Sequence, residues 1–171
     1  MKRLTLMRHA NALWKDPQIA DFERPLSRRG HSEAEAMSRR LGELGFVPTV
    51  LLSSSARRAQ QTADVVAREL AVPTRRRRSE ESLYLAPAAE ILRVIQNTGP
   101  RIPHLMIVGH NPGITEVANL FAPEPSIQDL MTGAICSLTF DARTWSNVAA
   151  GTLREALSES PPARLFAALW A

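Results

Sequence analysis

Apolar positions along this chain change period several times, and each change predicts an element. Lys2 to Met7 is a short apolar run of strand type. Asn11 to Glu23 is irregular and polar, holds Trp14 and Pro17, and is ended by Arg24-Pro25-Leu26-Ser27. Ser27 is a suitable N-cap for a helix to about Leu44, since Ala34, Met37, Leu41 and Leu44 recur at helical spacing and Gly45 can stop it. Val50 to Ser53 is a short β-type run. Ser54 or Ser55 can cap a second helix with Ala59, Ala63, Val66 and Leu70 on its apolar face and Pro73 beyond its end. Thr74 to Ser79 reads as an edge strand. Pro87 can open a helix carrying Ala88, Ile91, Leu92 and Ile95 inward. His104 to Val108 has the apolar character of a buried strand, and Gly113 to Phe121 that of a helix ended by Pro123. Ala134 to Phe140 and Trp145 to Ala149 read as two adjacent strands joined by Asp141 to Thr144. Beyond Gly151 the pattern assigns nothing firmly, except a short closing helix over Leu165 to Trp170.

Strands alternating with helices predict an α/β fold, a three-layer α/β/α sandwich around a mostly parallel central sheet. The 171 residues suit one domain, and no repeat or low-complexity linker marks a boundary. A chain of this length buries roughly 70% of the surface it exposes when unfolded, so it needs neither disulfides nor metal for a core. Its lone Cys136 can form neither an internal disulfide nor a cysteine-rich zinc site, and its alternating context predicts a buried strand residue.

The apolar run after Lys2 and Arg3 is too short for a signal-peptide core, and no eighteen-residue apolar run occurs. These features lead to the expectation of a cytoplasmic protein with no membrane span, and a monomer. The net charge of +4 comes mainly from arginine, with its densest run at Arg75 to Arg78. Such a run can meet nucleic-acid phosphates or an acidic protein. Glu80 and Glu81 follow at once and no aromatic residue interleaves for base stacking, which favours a solvated edge and no nucleic acid, with an acidic partner as the competing reading.

The candidate chemistry lies where predicted strands end. Arg8-His9 follows the first strand, Ser53 to Arg58 follows the second, and His110 follows the fourth. Ligands of open α/β sheets bind outside the carboxyl ends of the strands, so these residues can share one crevice. Guanidinium is permanently charged and its planar fork matches phosphate oxygens, and helix amino ends add unpaired N–H groups. An isolated histidine in a strand is commonly a hydrogen-bonded core residue. Two histidines and an arginine at coincident topological positions point instead to phosphoryl chemistry.

Arg8-His9, Arg24-Pro25-Leu26-Ser27-Arg28-Arg29-Gly30, Ser53 to Ala63, Leu83-Tyr84 and Gly109-His110-Asn111-Pro112-Gly113 occur in an order and spacing that resembles the histidine phosphatase superfamily. This superfamily is also called phosphoglycerate mutase-like, and the short chain is similar to its SixA-type phosphohistidine phosphatase branch. The resemblance covers about residues 1 to 145. It implies a phosphoglycerate mutase-like fold and catalysis in which His9 attacks phosphorus, giving a phosphohistidine that water hydrolyses. His9 must then be neutral at the attacking nitrogen, with its other nitrogen held by a hydrogen bond. Arg8, Arg58 and His110 are implied to surround the phosphoryl oxygens. Arg58 rather than Arg57 fits the motif, since it directly precedes Ala-x-x-Thr. Arg24 matches a position near the pocket mouth, where it either contacts substrate or serves only as a surface residue before Pro25. Asn111 either orients His110 or shapes the Asn-Pro-Gly turn, and the turn is the favoured reading.

Two departures from the family pattern stand out. Ala10 replaces the glycine common after Arg-His, a small change expected to be tolerated. No carboxylate matches the general acid of larger family members, although Asp21, Glu23, Glu80 and Glu81 are candidates. Alkoxide leaving groups need such an acid, whereas a phosphorylated imidazole departs from a nitrogen of pKa about 6.5. The expected substrate is therefore phosphohistidine on a protein or another labile phosphate. The alternatives are a small-molecule phosphomonoesterase or phosphomutase of the same superfamily, and a noncatalytic basic module binding phosphate or nucleic acid. No metal or other cofactor is implied, since the four histidines lack a ligand-set context; His31 and His104 read as structural.

Overall fold

In the computed structural model, which describes residues 1–13, 16–122 and 127–163, the amino-terminal apolar run is strand β1 (Lys2–Arg8). It lies inside a six-stranded sheet, hydrogen-bonded in parallel to β4 (His104–Gly109) on one side and antiparallel to β5 (Ile135–Phe140) on the other. Next to β4 run β2 (Val50–Ser54) and then β3 (Arg77–Glu80), both parallel, while β6 (Leu153–Glu159) pairs antiparallel with β5. The order is β3-β2-β4-β1-β5-β6, a mostly parallel sheet as the alternation of elements predicts.

Period-two alternation divides the strands between two cores. Leu4, Leu6, Leu52, Leu105 and Ile107 face one side, where α3 (Ala88–Gln96) and α4 (Gly113–Phe121) cover them with Ile91, Ile95, Ile114 and Val117. Met7, Leu51, Met106 and Val108 face the other, beneath α1 (Arg28–Glu43) and α2 (Arg57–Glu69), which contribute Met37, Leu41, Ala63 and Val66. Each aliphatic side chain buried in these layers contributes about 1.5–3 kcal/mol. The result is the expected α/β/α sandwich.

Local signals account for most boundaries. The Ser27 hydroxyl accepts from the Gly30 N–H at 3.0 Å and caps α1, and Gly45, at φ +70°, ends the turn after it. For α2 the expected serine cap is corrected. The N-cap is Ala56, which offers no side-chain bond, because Ser54 Oγ instead accepts from the Ala56 N–H and bonds His110.

One further correction concerns the chain after β5. Trp145 to Ala149 forms no strand but a 3-10 turn over Trp145–Asn147. Trp145 and Val148 are three residues apart and both buried, a spacing that a tight helical turn satisfies and an extended strand does not. The Trp145 indole N–H donates to Ile102 O at 2.9 Å. The actual edge strand, β6, comes later and is largely exposed. At the opposite edge Thr74–Arg76 form a 3-10 turn, so the strand expected from Thr74 begins only at Arg77, and Arg75, Arg76 and Arg78 are exposed. Trp14, Pro123 and the closing helix expected over Leu165 to Trp170 lie outside the described residues. Cys136 is buried in β5, which pushes its thiol up to about 11. Among the described residues no helix is long and apolar enough to cross a membrane.

Candidate active site

The parallel register of β1 and β4 sets Arg8 opposite Gly109, so His9 and His110 leave adjacent strands at the same level. The His9 N–H donates to Gly109 O at 3.0 Å, and the two imidazole centroids are 5.1 Å apart. β2 ends beside them, with Ser53 opposite Val108, and delivers Ser54 and the first turn of α2. Sheet register thus gathers residues distant in sequence, as the coincident strand ends predict.

The loop after His9 is pinned on both sides. The Ala10 N–H donates to Thr62 Oγ1 of α2 at 3.1 Å, and that hydroxyl donates to Arg58 O at 2.7 Å. From α1, fully buried Glu33 accepts the Asn11 N–H at 2.9 Å, and Ser27 Oγ donates to Asn11 Oδ1 at 2.6 Å. Gly30 is obligatory on packing grounds, since a Cβ there would overlap the Asn11 carbonyl oxygen. The Ala10 methyl is fully buried with Leu26, Ala34 and Val65 and is accommodated.

His9 Nδ1 lies 2.8 Å from Ala10 O, which requires the proton on Nδ1 and leaves a lone pair on Nε2. Arg58 Nε–H points at that lone pair from 3.3 Å. Burial lowers the His9 pKa to about 3, and the charges of His110, Arg58 and Arg8 add to the shift against the opposing Ala10 bond. His9 is therefore neutral at neutral pH. Arg58 Nη2 lies 3.4 Å from His110 Nδ1, and His110 Nε2 lies 2.8 Å from Ser54 Oγ. His110 is held at about 4 by burial first and then by Arg58 and Arg8, against the opposing charge of Asp21.

Arg8 donates from Nη1 to Leu130 O at 2.8 Å and lies 3.5 Å from the exposed Asp129 carboxylate. Its Nε and the Ser55 hydroxyl are buried without a hydrogen-bond partner among the described residues. Arg24 is joined to this cluster only at one remove. It donates to Leu13 O at 3.0 and 2.7 Å and to Asp21 Oδ1 at 3.0 Å. Arg57 is exposed, whereas Arg58 is buried. Asn111 Nδ2 donates to Leu130 O at 2.9 Å and Asn111 Oδ1 accepts from Thr115, so Asn111 ties its loop together and makes no bond to His110.

Asp21, a general-acid candidate by sequence, joins the cluster as a hydrogen-bond acceptor instead. In a 3-10 turn (Asp21–Glu23) its backbone carbonyl accepts from Arg58 Nη1 at 2.6 Å. Its Oδ2 accepts from Arg58 Nη2 at 3.0 Å and from the Tyr84 hydroxyl at 2.9 Å. Burial pulls this carboxyl upward, but the bonds from Arg24 and Tyr84 and the Arg58 guanidinium outweigh it and hold it at about 2. The Asp-x-x-Arg spacing signals only the Asp21–Arg24 pair, since residues three apart meet across one turn. Tyr84 packs edge-on against His110 at 5.6 Å and against Phe22 at 5.1 Å. Among the described residues, Glu23, Glu80 and Glu81 make no hydrogen bond to the clustered histidines or arginines. Among the described residues no group of three or more His, Cys, Asp or Glu is arranged to hold a metal ion. The arrangement joins a neutral imidazole lone pair to two guanidinium groups and a second imidazole, a donor set fitted to a tetrahedral oxyanion.

The chain is similar to several known proteins. The model of the histidine phosphatase superfamily, branch 1, matches residues 4–79. An uncharacterized chloroplastic protein of Arabidopsis thaliana is 32% identical over 134 residues, 71% of this chain and 59% of that protein, so the chain spans less than two thirds of that relative. A candidate phosphohistidine phosphatase SixA from Agrobacterium tumefaciens superposes with a TM-score of 0.78 at 25% identity, covering 92% of this chain and 98% of that one. The protein histidine phosphatase SixA complexed with tungstate shares the fold, with a TM-score of 0.74 at 22% identity over 91% of this chain and 96% of that one. Motif order, sheet register and these likenesses agree: the chain belongs to the histidine phosphatase superfamily.

Proposed function

We propose that this protein is a phosphatase that transfers a phosphoryl group to Nε2 of His9, and that its substrate is phosphohistidine on a protein. The observation that carries the reading is the His9 imidazole, neutral, locked by its Nδ1 bond to Ala10 O and presenting Nε2 to Arg58. Arg8, Arg58 and His110 bind the phosphoryl oxygens and stabilise charge as it develops. The tungstate bound to the related SixA is itself a tetrahedral oxyanion, which supports the same use of this site. Arg24 borders a cleft of about 590 Å³ lined by Asn11, Ala12, Leu13 and Ser27.

The chemistry of the leaving group favours phosphohistidine. Ester cleavage with an alkoxide leaving group gains about 10²–10⁴-fold from a placed acid, yet the carboxyl bonded into the cluster, Asp21, is ionised. A phosphorylated imidazole leaves from a nitrogen of pKa about 6.5 and needs no such acid. Purified protein given matched phosphohistidine and phosphoserine peptides is expected to hydrolyse the first far faster. Faster turnover of the phosphoserine peptide overturns the substrate assignment.

A further inference from the structure

We propose that Asp21 is a specificity-determining residue, whose carboxylate accepts the N–H at the distal nitrogen of a phosphorylated imidazole and so selects leaving groups that bring their own proton. The proposal rests on the phosphohistidine reading above and goes beyond it by assigning the discrimination to one side chain.

The geometry is graded from floor to rim. His110 and Arg58 are buried, at 3% exposure each, whereas the Asp21 side chain, which accepts from Arg58 Nη2, is 33% exposed. A phosphoryl group held by Arg58 and attacked by His9 Nε2 must expel its leaving group away from His9, towards the more exposed rim. Three donors occupy the carboxylate: Arg58 and Tyr84 on Oδ2, and Arg24 on Oδ1. A carboxylate offers about four acceptor sites, so a position on Oδ1 remains for a further donor. The same three donors keep the group ionised, which makes it an acceptor and never a proton source.

The transfer step balances without an added acid. The substrate enters as an imidazolium, phosphorylated on one nitrogen and protonated on the other. The His9 Nε2 lone pair forms a bond to phosphorus, the bond from phosphorus to the substrate nitrogen breaks, and its electron pair stays on that nitrogen. The departing ring is then neutral imidazole, with its distal N–H still donated to Asp21. An alkoxide or phenolate leaving beside the same carboxylate has no N–H to offer and meets like charge.

The test compares the intact protein with Asp21→Ala and Asp21→Asn on two substrates, a phosphohistidine peptide and 4-nitrophenyl phosphate, whose phenolate leaves without a proton and carries no N–H. Losing a hydrogen bond between charged groups is expected to cost phosphohistidine about 10- to 100-fold in kcat/KM beyond any change on the nitrophenyl ester. Asp21→Asn, which keeps the shape, is expected to shift the preference the same way by less. Affinity for inorganic phosphate, measured by calorimetry, is expected to be no weaker in either variant, which verifies a folded pocket. Equal losses on both substrates would overturn the proposal and reduce Asp21 to a residue that positions Arg58. An unmodified protein that hydrolyses the nitrophenyl ester through His9 but ignores phosphohistidine overturns the substrate reading itself, a distinct result.

Discussion

Arg58 Nε lies 3.3 Å from His9 Nε2, so the guanidinium assigned to the phosphoryl oxygens is already hydrogen-bonded to the nitrogen assigned to attack. The remaining guanidinium nitrogens reach Asp21 and His110, which fixes the plane of the group before any substrate arrives. Arg58→Ala is expected to lower kcat by about 10²–10³-fold. Arg58→Lys should recover little, because one ammonium cannot reproduce a planar fork with three separately placed partners. Steady-state kinetics on phosphohistidine peptide measures both, and near-normal turnover in the lysine variant would contradict this use of the fork.

A second prediction concerns Gly30, where a methyl group would overlap the Asn11 carbonyl oxygen. Gly30→Ala must push α1 away from the loop that carries His9, at a stability cost of about 1–3 kcal/mol. Displacement of the nucleophile by about 1 Å can lower turnover by up to 10²-fold. Gly42→Ala, in the same helix, meets only the far end of the Leu70 side chain at 3.3 Å and is expected to leave kcat unchanged. Denaturant midpoints and kcat for the two variants check the contrast.

Acid should destabilise the protein earlier than carboxylates alone would cause. His104 and His110 are both buried and held at about 4, against an ordinary value of 6.5. As pH falls below 6.5 the unfolded chain takes up protons that these folded imidazoles refuse, so stability drops through the window down to about 4. The slope approaches about 1.4 kcal/mol per pH unit for each histidine. Asp21, lowered from 3.8 to about 2, extends the loss in the same direction at lower pH. Urea midpoints at neutral and mildly acidic pH measure this, and a flat profile contradicts it.

Activity should outlast the ordinary histidine range on the acid side, because His9 is neutral down to about 3. The acid limb of kcat/KM belonging to the free enzyme is expected below about pH 5, after correction for substrate ionisation. A limb near 6.5 would show that His9 titrates as an exposed imidazole.

Much of this was legible in the sequence because period and punctuation act locally. Leu51 and Leu52, or Met106 and Ile107, face opposite cores as alternation requires, and Ser27 and Gly45 bound α1 as their chemistry predicts. The convergence of Arg8-His9, Arg58 and His110 was legible because each directly follows or lies just beyond a strand end. Signals with a competing use were misread. Ser54 looks like a helix cap but its hydroxyl serves His110, and Trp145 looks like a strand residue but packs through a turn with Val148. The edge strand β6 was not assigned, since an exposed strand lacks the apolar alternation by which strands are recognised. Asp21 is a general-acid candidate by sequence but an ionised acceptor in the fold, because its contacts to Arg58 and Tyr84 span 37 and 63 residues and no local pattern encodes them.

The most direct test of the central claim is to mix the protein rapidly with radiolabelled phosphohistidine peptide or acetyl phosphate, quench, and map the label. The account predicts a transient acid-labile, base-stable phosphate on His9, absent in His9→Ala together with turnover. Sustained hydrolysis by His9→Ala, or turnover with no phosphorylated His9 at any quench time, would contradict it.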